Sequence, residues 1–425
     1  MGNKESLVNL RYWTKRLYLS TISIGFCSTA GLMYLYESGH KFFATTLSVL
    51  GLGTAYLYWR NAARAVIRSN HAVIVTGCDS GLGYSLALHC RSLNAVVIAG
   101  VLQPDGIGAK DLIRNGVNVI PLDVTKRESI TKFGISIREL VAKENLVIRA
   151  LVNNAGVMIF GEFEWQTDDQ IRRQVEVNLL GTMGITKELM PIIRSMQSRI
   201  IVVTSHCSSQ PLPGAAAYGA TKAAVSAWAT ALRVEVAKYG IDVVCFVPGS
   251  FTGESNLMAS QNDHFAAMRS AMSDEARNFY GNYFTRYTEY LSGISREILP
   301  QKVDIPMIYD VFDGALTDVY PQAHRFFRCE PWRYTFYHLL FKTTPLCIRD
   351  RLVERFIMMP KWKEPRESDA PVSDGPEILK LVESKDADSS QIDETFVEPI
   401  NSYPENFTLT EKTDLKRAKE GSLSR

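Results

Sequence analysis

Short apolar runs alternate with longer, mixed segments from about residue 70 onwards. Each run is apolar at successive positions, which is typical of strands buried on both faces of a sheet. Helical patterns fill the segments between the runs. This order predicts an α/β fold with a doubly wound parallel sheet. The predicted strands are residues 71–75, 95–99, 117–122, 149–152, 199–203 and 241–247.

Two uncharged runs, Leu17–Tyr36 and Phe42–Trp59, precede this region. A membrane-spanning helix needs roughly 20 apolar residues, so the first run is long enough and the second is slightly short. Neither run has the polar stripe that a helix on the surface of a soluble domain usually carries. The pattern therefore predicts a transmembrane hairpin within residues 1–68, and a pair of buried soluble helices is the alternative.

The flanking charges predict how this hairpin is oriented. Basic residues precede the first run and follow the second, whereas the connector at 37–41 has one acidic and one basic residue. By the positive-inside rule, both outer ends and the α/β domain face the cytoplasm. We expect the hairpin to lie in the membrane of the endoplasmic reticulum. The flanking basic residues are Arg11, Lys15, Arg16, Arg60, Arg64 and Arg68.

Three further segments complete the predicted organisation. The α/β domain, which is the candidate catalytic domain on the grounds given below, is expected to span 70–310, and 311–360 to contact substrate or membrane. Within the latter, Trp332–Met359 interleaves large apolar and basic residues, which suits either a packed pair of helices or a membrane surface. Residues 361–425 are polar and rich in acids, and we expect a disordered tail that contains the glycosylation sequon at Asn406.

Composition excludes some classes of function. The net charge of +2 lacks the basic excess of a nucleic-acid-binding protein. The seven cysteines are scattered, with neither a C-x-x-C pair nor a zinc-ligand spacing, so no metal site is expected. This cysteine usage fits a reducing compartment.

A glycine-rich turn follows the first predicted strand and opens a helix. Glycine allows the backbone to turn tightly and to approach a pyrophosphate, which is then held at the positive end of the helix. The turn therefore predicts a nucleotide-binding site. Its candidate residues are Thr76, Gly77, Asp79, Ser80, Gly81, Leu82 and Gly83, and we refer to Thr76–Gly83 as the glycine turn.

Tyr218 and Lys222 are four residues apart, so on a helix they share one face. An ammonium beside a phenol favours the phenolate, which would lower the pKa of Tyr218 from about 10 towards the working pH. The tyrosine can then exchange a proton with a substrate hydroxyl while a nicotinamide exchanges hydride.

With these motifs, residues 72–249 resemble the short-chain dehydrogenase/reductase family, which has a Rossmann-type fold. The spacing of the glycine turn, Asn153-Asn154-Ala155-Gly156 and Tyr218-x-x-x-Lys222 carry the resemblance. The resemblance implies a catalytic tetrad of Asn178, Ser205, Tyr218 and Lys222. It also implies cofactor contacts from both Tyr218 and Lys222 and from Asp123, Val124, Asn154, Ala155, Gly156, Pro248, Gly249 and Thr252.

Two segments look like one branch of this family, the group of retinol dehydrogenases, 17β-hydroxysteroid dehydrogenase type 2 and 3-hydroxybutyrate dehydrogenases. They are 77–83 and 122–130. The branch implies a lipophilic alcohol or ketone substrate such as a steroid or retinoid. One departure is Gly253, which stands where the family usually has a nicotinamide-contacting threonine. The alternative functions are a dehydrogenase of small hydroxy acids and a sterol-binding pseudoenzyme. A homodimer is a possible assembly of the chain.

The charged residues near the predicted nucleotide site indicate whether the cofactor is NAD(H) or NADP(H). An enzyme that takes the 2′-phosphate of NADP(H) needs a cation near the glycine turn or after the second strand. Here the turn contains Asp79, and the second strand runs into Gly100-Val101-Leu102 without an Arg or Lys. The sequence therefore favours NAD(H) over NADP(H).

Overall fold

The computed structural model describes residues 39, 41–61, 64–249, 256–292, 300, 302–321, 324–326, 340–341, 343–357 and 359–362. The first uncharged run lies outside these residues, as does the expected tail after residue 362. The described residues divide between two compact units. The first reaches Ser273 and resumes between 300 and 360, and the second contains 274–292 with 361 and 362.

Seven strands of the first unit form one sheet, and all its pairings are parallel. The strand order is β3-β2-β1-β4-β5-β6-β7, so the chain reverses its direction of winding between β1 and β4. This confirms the predicted doubly wound α/β fold and its six strands. The strands are β1 His71–Thr76, β2 Val96–Val101, β3 Asn118–Pro121, β4 Val147–Asn153, β5 Arg199–Val203, β6 Val243–Val247 and β7 His324–Phe326.

The central strands are apolar throughout because both faces of the sheet are covered. All five residues of β5 and of β6 are buried. Alternate strand residues belong to two separate apolar cores. Val73 and Phe246 belong to one, and Ile74 and Val202 to the other. The continuous apolar runs follow directly from this two-sided burial.

Helices cover both faces of the sheet. The core that contains Val73 includes residues of α2, α3 and α11, and the core that contains Ile74 includes residues of α4, α6 and α7. The α-helices of the first unit are α1 Lys41–Asn61, α2 Gly81–Ser92, α3 Ile107–Arg114, α4 Arg127–Glu144, α5 Asp168–Val175, α6 Thr182–Met196, α7 Ala216–Ala237, α8 Gln261–Ala271, α11 Pro306–Thr317 and α12 Leu346–Ile357. The second unit contains α9 Asp274–Tyr280 and α10 Asn282–Ser292.

The second uncharged run coincides with helix α1. Apolar side chains on this helix are exposed, among them Phe42 at 80% and Leu52 at 72%. None of the helices in the described part of the chain is both long and apolar enough to cross a membrane.

A buried arginine fastens helix α11 to the sheet. Arg199, at the start of β5, donates through its guanidinium to the carbonyl oxygens of Ala315 and Asp318, at 2.7 Å each, at the carboxyl end of α11. Its cation also lies 3.3 Å from the carboxylate of Asp242. Residue 310, the expected end of the catalytic domain, lies inside this helix, and β7 follows it in the same sheet.

Candidate active site

The glycine turn is packed too tightly for side chains at two of its positions. Gly77 has a φ of +69°, and a Cβ there would lie 2.7 Å from the Cα of Ala155. A Cβ on Gly83 would lie 2.1 Å from the carbonyl oxygen of Gly77. The helix that follows starts at Gly81 with no side-chain cap from Ser80 and no acidic residue in its first turn. Its first N–H groups therefore suit an anion such as a pyrophosphate.

Asn154 ties the end of β4 to this turn. Its side-chain amide donates to the carbonyl oxygens of Thr76 and Gly77, at 2.9 and 3.0 Å. In return, the Thr76 hydroxyl accepts from the N–H groups of Asn154 and Ala155, each at 3.0 Å. Parallel strands β1 and β4 thus present their carboxyl ends as one fixed edge, where this class of fold binds its ligands.

Asn178 lies in a π-helical turn, Glu176–Gly181, between α5 and α6. Its amide oxygen accepts from the N–H of Val157 at 2.8 Å. Its amide nitrogen donates to the Val157 carbonyl and to the Thr221 hydroxyl. The side chain therefore joins the loop after β4 to helix α7. Turns of this type recur at functional sites.

Ser205 and Tyr218 are in contact at the centre of the site. Ser205 follows β5, where its hydroxyl accepts from the N–H of Cys207 at 3.2 Å. Its side chain also forms a hydrogen bond with that of Tyr218. Tyr218 is only 7% exposed. The structure thus brings together a serine and a tyrosine that are 13 positions apart in the sequence.

Lys222 lies one helical turn beyond Tyr218 and is buried. Its ammonium donates to the Val203 carbonyl at 3.1 Å and lies 5.8 Å from the centre of the Tyr218 ring. A Cβ on Gly156 would lie 3.3 Å from the amide oxygen of Asn178 and 3.5 Å from the Lys222 ammonium. All four residues of the expected tetrad therefore surround one point at the carboxyl edge of the sheet.

The pKa of Tyr218 departs from the expected direction. Burial raises it above its ordinary value, the nearby Cys207 raises it further, and only the hydrogen bond with Ser205 lowers it. Burial also lowers the pKa of Lys222, to about 8. The ammonium expected beside the phenol is present, but both groups have lost the water around them, which disfavours the charged form of each.

Asp123 and Val124, which follow β3, are held by local contacts. The Asp123 carboxylate accepts from the N–H and hydroxyl of Thr125 and lies 3.2 Å from the Lys126 ammonium. Burial alone would raise the pKa of Asp123, but these partners outweigh it and lower the pKa. Val124 packs against the π-helical turn, because a Cβ on Gly181 would lie 2.8 Å from it.

The remaining expected cofactor contacts follow β6. Pro248 and Gly249 end the described segment, and Gly249 has a φ of +85°. Thr252 and Gly253 lie outside the described residues.

An apolar wall surrounds Tyr218, and sequence analysis did not identify it. Its members come from three separate segments that only the fold brings together, so no local pattern signals it. We define the apolar wall as Met158, Phe160, Ala215, Leu257 and Met258.

Gln261 joins two parts of this wall. Its fully buried side chain accepts from the N–H of Phe160 at 2.9 Å and donates to the carbonyl of the same residue at 2.6 Å. This pair of hydrogen bonds fixes the start of helix α8, next to Met258, against the loop after β4.

The fold and the site together define a nucleotide-binding α/β protein with a serine–tyrosine–lysine centre. The short chain dehydrogenase family matches residues 71–264. The mitochondrial D-beta-hydroxybutyrate dehydrogenase of Rattus norvegicus is 30% identical over 268 residues, which cover 61% of this chain and 77% of the relative. The chain belongs to the short-chain dehydrogenase family.

Two other relatives confirm the expected branch of the family. Estradiol 17-beta-dehydrogenase 2 of Rattus norvegicus is 33% identical over 254 residues, or 58% of this chain. Retinol dehydrogenase 16 of the same species is 28% identical over 309 residues, which cover 72% of this chain and 95% of the relative. The match spans only 62% of the length of the estradiol dehydrogenase.

Proposed function

We propose that this protein catalyses reversible oxidoreduction between a hydroxyl and a ketone of a lipophilic substrate, with a nicotinamide cofactor. The observation that carries this proposal is the buried pair of Tyr218 and Lys222, in which the Lys222 ammonium lies 5.8 Å from the centre of the Tyr218 ring. Tyr218 accepts the hydroxyl proton in oxidation and returns it in reduction. Ser205 donates a hydrogen bond to the reacting oxygen, and Lys222 supplies positive charge one helical turn away.

The chain's own residues fit the cofactor. A bound nicotinamide nucleotide supplies the hydride acceptor or donor. The uncapped start of α2 and the glycine turn would hold its pyrophosphate, since no side chain fills that space. The Lys222 ammonium would hold the nicotinamide ribose, and the loop Asn154–Gly156 would line the path between the two ends.

The apolar wall supports a lipophilic substrate. None of its five residues carries a charge, whereas a small hydroxy acid needs a cation for its carboxylate. Relatives named as estradiol and retinol dehydrogenases support the same class, and the relative named D-beta-hydroxybutyrate dehydrogenase supports the alternative. A sterol-binding pseudoenzyme is the third candidate, and the assembled tetrad argues against it.

NAD(H) is the proposed cofactor. Asp79 stands in the glycine turn, and Leu102 and Gln103, which follow β2, are uncharged. Steady-state kinetics should therefore give a higher kcat/KM with NAD(H) than with NADP(H). A preference for NADP(H) would contradict the charge argument.

The N-terminal hairpin in the endoplasmic reticulum is proposed as the anchor that holds this site at a membrane. The exposed apolar side chains of α1 support membrane contact. In this topology Asn406 faces the cytoplasm and carries no glycan. Expression in the presence of microsomes, followed by endoglycosidase treatment, tests this topology. A mobility shift that vanishes in Asn406→Gln would contradict the hairpin.

A homodimer is proposed as the assembly. Helices α5 and α7 and the π-helical turn border an open cavity of about 300 Å³ whose lining residues include Ile171, Val175 and Leu179. An apolar recess of this kind suits a second copy of the chain. Light scattering of the purified protein measures the mass, and a monomer at micromolar concentration would contradict the proposal.

Turnover on matched alcohols tests the proposed reaction. The full chain in detergent or liposomes is incubated with NAD⁺ and either steroid and retinoid alcohols or 3-hydroxybutyrate, and NADH formation is recorded. We expect NADH with at least one lipophilic alcohol and much less with 3-hydroxybutyrate. The reverse order would favour the small-substrate alternative. Tight NADH binding without turnover on any alcohol would favour the pseudoenzyme.

A further inference from the structure

Two glutamine side chains hold the loop that follows β4. The N–H of Ile159 donates to the amide oxygen of Gln174 at 3.2 Å. The amide nitrogen of Gln174 donates to the amide oxygen of Gln166 at 3.0 Å, and the amide nitrogen of Gln166 donates to the Gly161 carbonyl at 2.8 Å. These bonds run in one direction from the loop through both side chains and back to the loop. We refer to this arrangement as the glutamine ring.

The glutamine ring is buried, and its polar groups have partners. Gln174 and Gln166 are both buried, and the Gln174 amide nitrogen also donates to the Gln170 carbonyl at 3.2 Å. Hydrogen bonds that are aligned in this way strengthen one another in a low-dielectric interior. A buried group that loses its partner is costly. A substitution at either glutamine of the ring should therefore release the loop.

The loop held by the glutamine ring carries part of the apolar wall around Tyr218. Phe160 lies between the two loop residues that the ring binds, and Met158 comes directly before them. On the side of helix α8, Gln261 holds the N–H and the carbonyl of Phe160. The ring and Gln261 together fix the position of this part of the wall relative to the tyrosine.

Gln174 and Asn178 support the loop from one helical face. Gln174 lies in α5, and Asn178 lies one helical turn later in the π-helical turn. Asn178 binds the N–H and the carbonyl of Val157, whereas Gln174 binds the N–H of Ile159. Alternate loop residues are thus held as a neighbouring strand would hold them. The two supports use different atoms, so loss of the Gln174 side chain leaves the bonds of Asn178 in place.

We propose that Gln174 is a positioning residue for the substrate, because the glutamine ring fixes the loop that places Met158 and Phe160 beside Tyr218. This inference rests on the proposed oxidoreductase function. Gln174 acts through the apolar wall and takes no part in proton transfer. It governs how well a lipophilic alcohol fits against the tyrosine.

Steady-state kinetics on the full chain test the inference. Gln174→Met and Gln166→Met each open the glutamine ring, because methionine has nearly the length of glutamine but lacks its amide. The double variant combines the two. Ser198→Ala is the matched control, because it removes a buried hydrogen bond to the Ile148 carbonyl just before β5, at the opposite edge of the sheet. Melting temperatures report whether each variant is folded.

We expect the effect to appear in KM. With a steroid or retinoid alcohol that the wild type oxidises, KM should rise about tenfold in each single variant. The value of kcat should stay within about threefold of the wild type, with NADH affinity unchanged. Because both substitutions open the same ring, the double variant should also show a rise of about tenfold rather than about 100-fold. Ser198→Ala should leave KM unchanged.

Amide hydrogen exchange tests the ring without any substrate. Mass spectrometry of peptides that span 157–161 should show slow exchange at Ile159 in the wild type and faster exchange in Gln174→Met and Gln166→Met. Ser198→Ala should exchange like the wild type in these peptides. Fast exchange at Ile159 in the wild type would overturn the inference without any variant.

Two kinetic results would overturn the inference while leaving the proposed function intact. One is a wild-type KM in folded Gln174→Met, which would make the ring a contribution to stability alone. The other is a lower kcat with unchanged KM, which would place Gln174 in the chemical step. A wild type that oxidises none of the alcohols would instead contradict the proposed function, and exchange at Ile159 would still decide whether Gln174 holds the loop.

Discussion

The proposed nucleotide side and the proposed substrate side of this site are built differently. On the nucleotide side, main-chain atoms carry the arrangement: Gly77 and Gly83 make room, and Asn154 joins the carbonyls of the turn. On the substrate side, apolar side chains from distant segments surround Tyr218, and Gln261 holds two of those segments together. The first side suits a ligand common to many enzymes, and the second can vary with the substrate.

Removal of the Tyr218 hydroxyl should have the largest effect on turnover. It should also show that the substrate side can be damaged while the nucleotide side still binds NADH. Tyr218→Phe deletes the proton donor of the substrate side, so turnover should fall by about 100- to 10,000-fold. The glycine turn and Lys222 are untouched, so NADH affinity should stay near that of the wild type. Parallel kinetics and binding measure both. Retention of more than about a tenth of the turnover would remove Tyr218 from the mechanism.

The pH dependence of turnover should follow the protonation of Tyr218 and Lys222. Because burial raises the pKa of Tyr218, the tyrosine is protonated at neutral pH, and the fraction that can act as a base grows tenfold for each pH unit. Alcohol oxidation should therefore rise by up to about 100-fold over about two pH units, with ketone reduction nearly flat. The rise should flatten above about pH 8, where Lys222 loses its proton.

Initial rates in both directions from about pH 6 to about pH 9 check this prediction. Tyr218→Phe is the control, since its residual rate should lose the rise. Oxidation that falls with increasing pH would contradict the assignment of Tyr218 as the base.

A side chain in the glycine turn should damage the nucleotide side. The Cβ of Gly83→Ala would lie 2.1 Å from the Gly77 carbonyl oxygen and 2.4 Å from the Asn154 amide nitrogen. Overpacking of this kind costs about 1–3 kcal/mol, so NADH affinity should fall by about 30-fold. Gly53→Ala is the control, because nothing lies within 4 Å of its Cβ. Unchanged NADH binding in Gly83→Ala would show that the turn does not hold the cofactor.

Loss of the two hydrogen bonds between Gln261 and Phe160 should have the smallest effect, and this effect should be confined to the substrate side. Gln261→Leu leaves the N–H and carbonyl of Phe160 buried without their partner, at a cost of about 1–3 kcal/mol each. We expect a lower melting temperature and a KM for the lipophilic alcohol that is about tenfold higher. NADH affinity should be unchanged, and Ser270→Leu, at an exposed position of the same helix, is the control. A fall in NADH affinity equal to the rise in KM would contradict the division into two sides.

Sequence patterns predicted the parallel sheet and the tight turn after its first strand because their determinants are local. Strand burial, the glycine turn and the spacing between Tyr218 and Lys222 can each be read from neighbouring positions. The substrate side could not be predicted, since Met158 and Met258 meet only through the fold. The raised pKa of Tyr218 was also missed, because burial is a property of the folded protein. Strand β7 was not predicted, because it has only three residues.

Transfer of a labelled hydride tests the central claim most directly. The full chain in liposomes is incubated with NAD⁺ and a lipophilic secondary alcohol that carries deuterium on its carbinol carbon, and the reduced cofactor is analysed by mass spectrometry. We expect one deuterium in the NADH formed by the wild type and almost no labelled product from Tyr218→Phe. Cofactor that stays unlabelled with every alcohol tried, in a wild type that binds NADH, would contradict it.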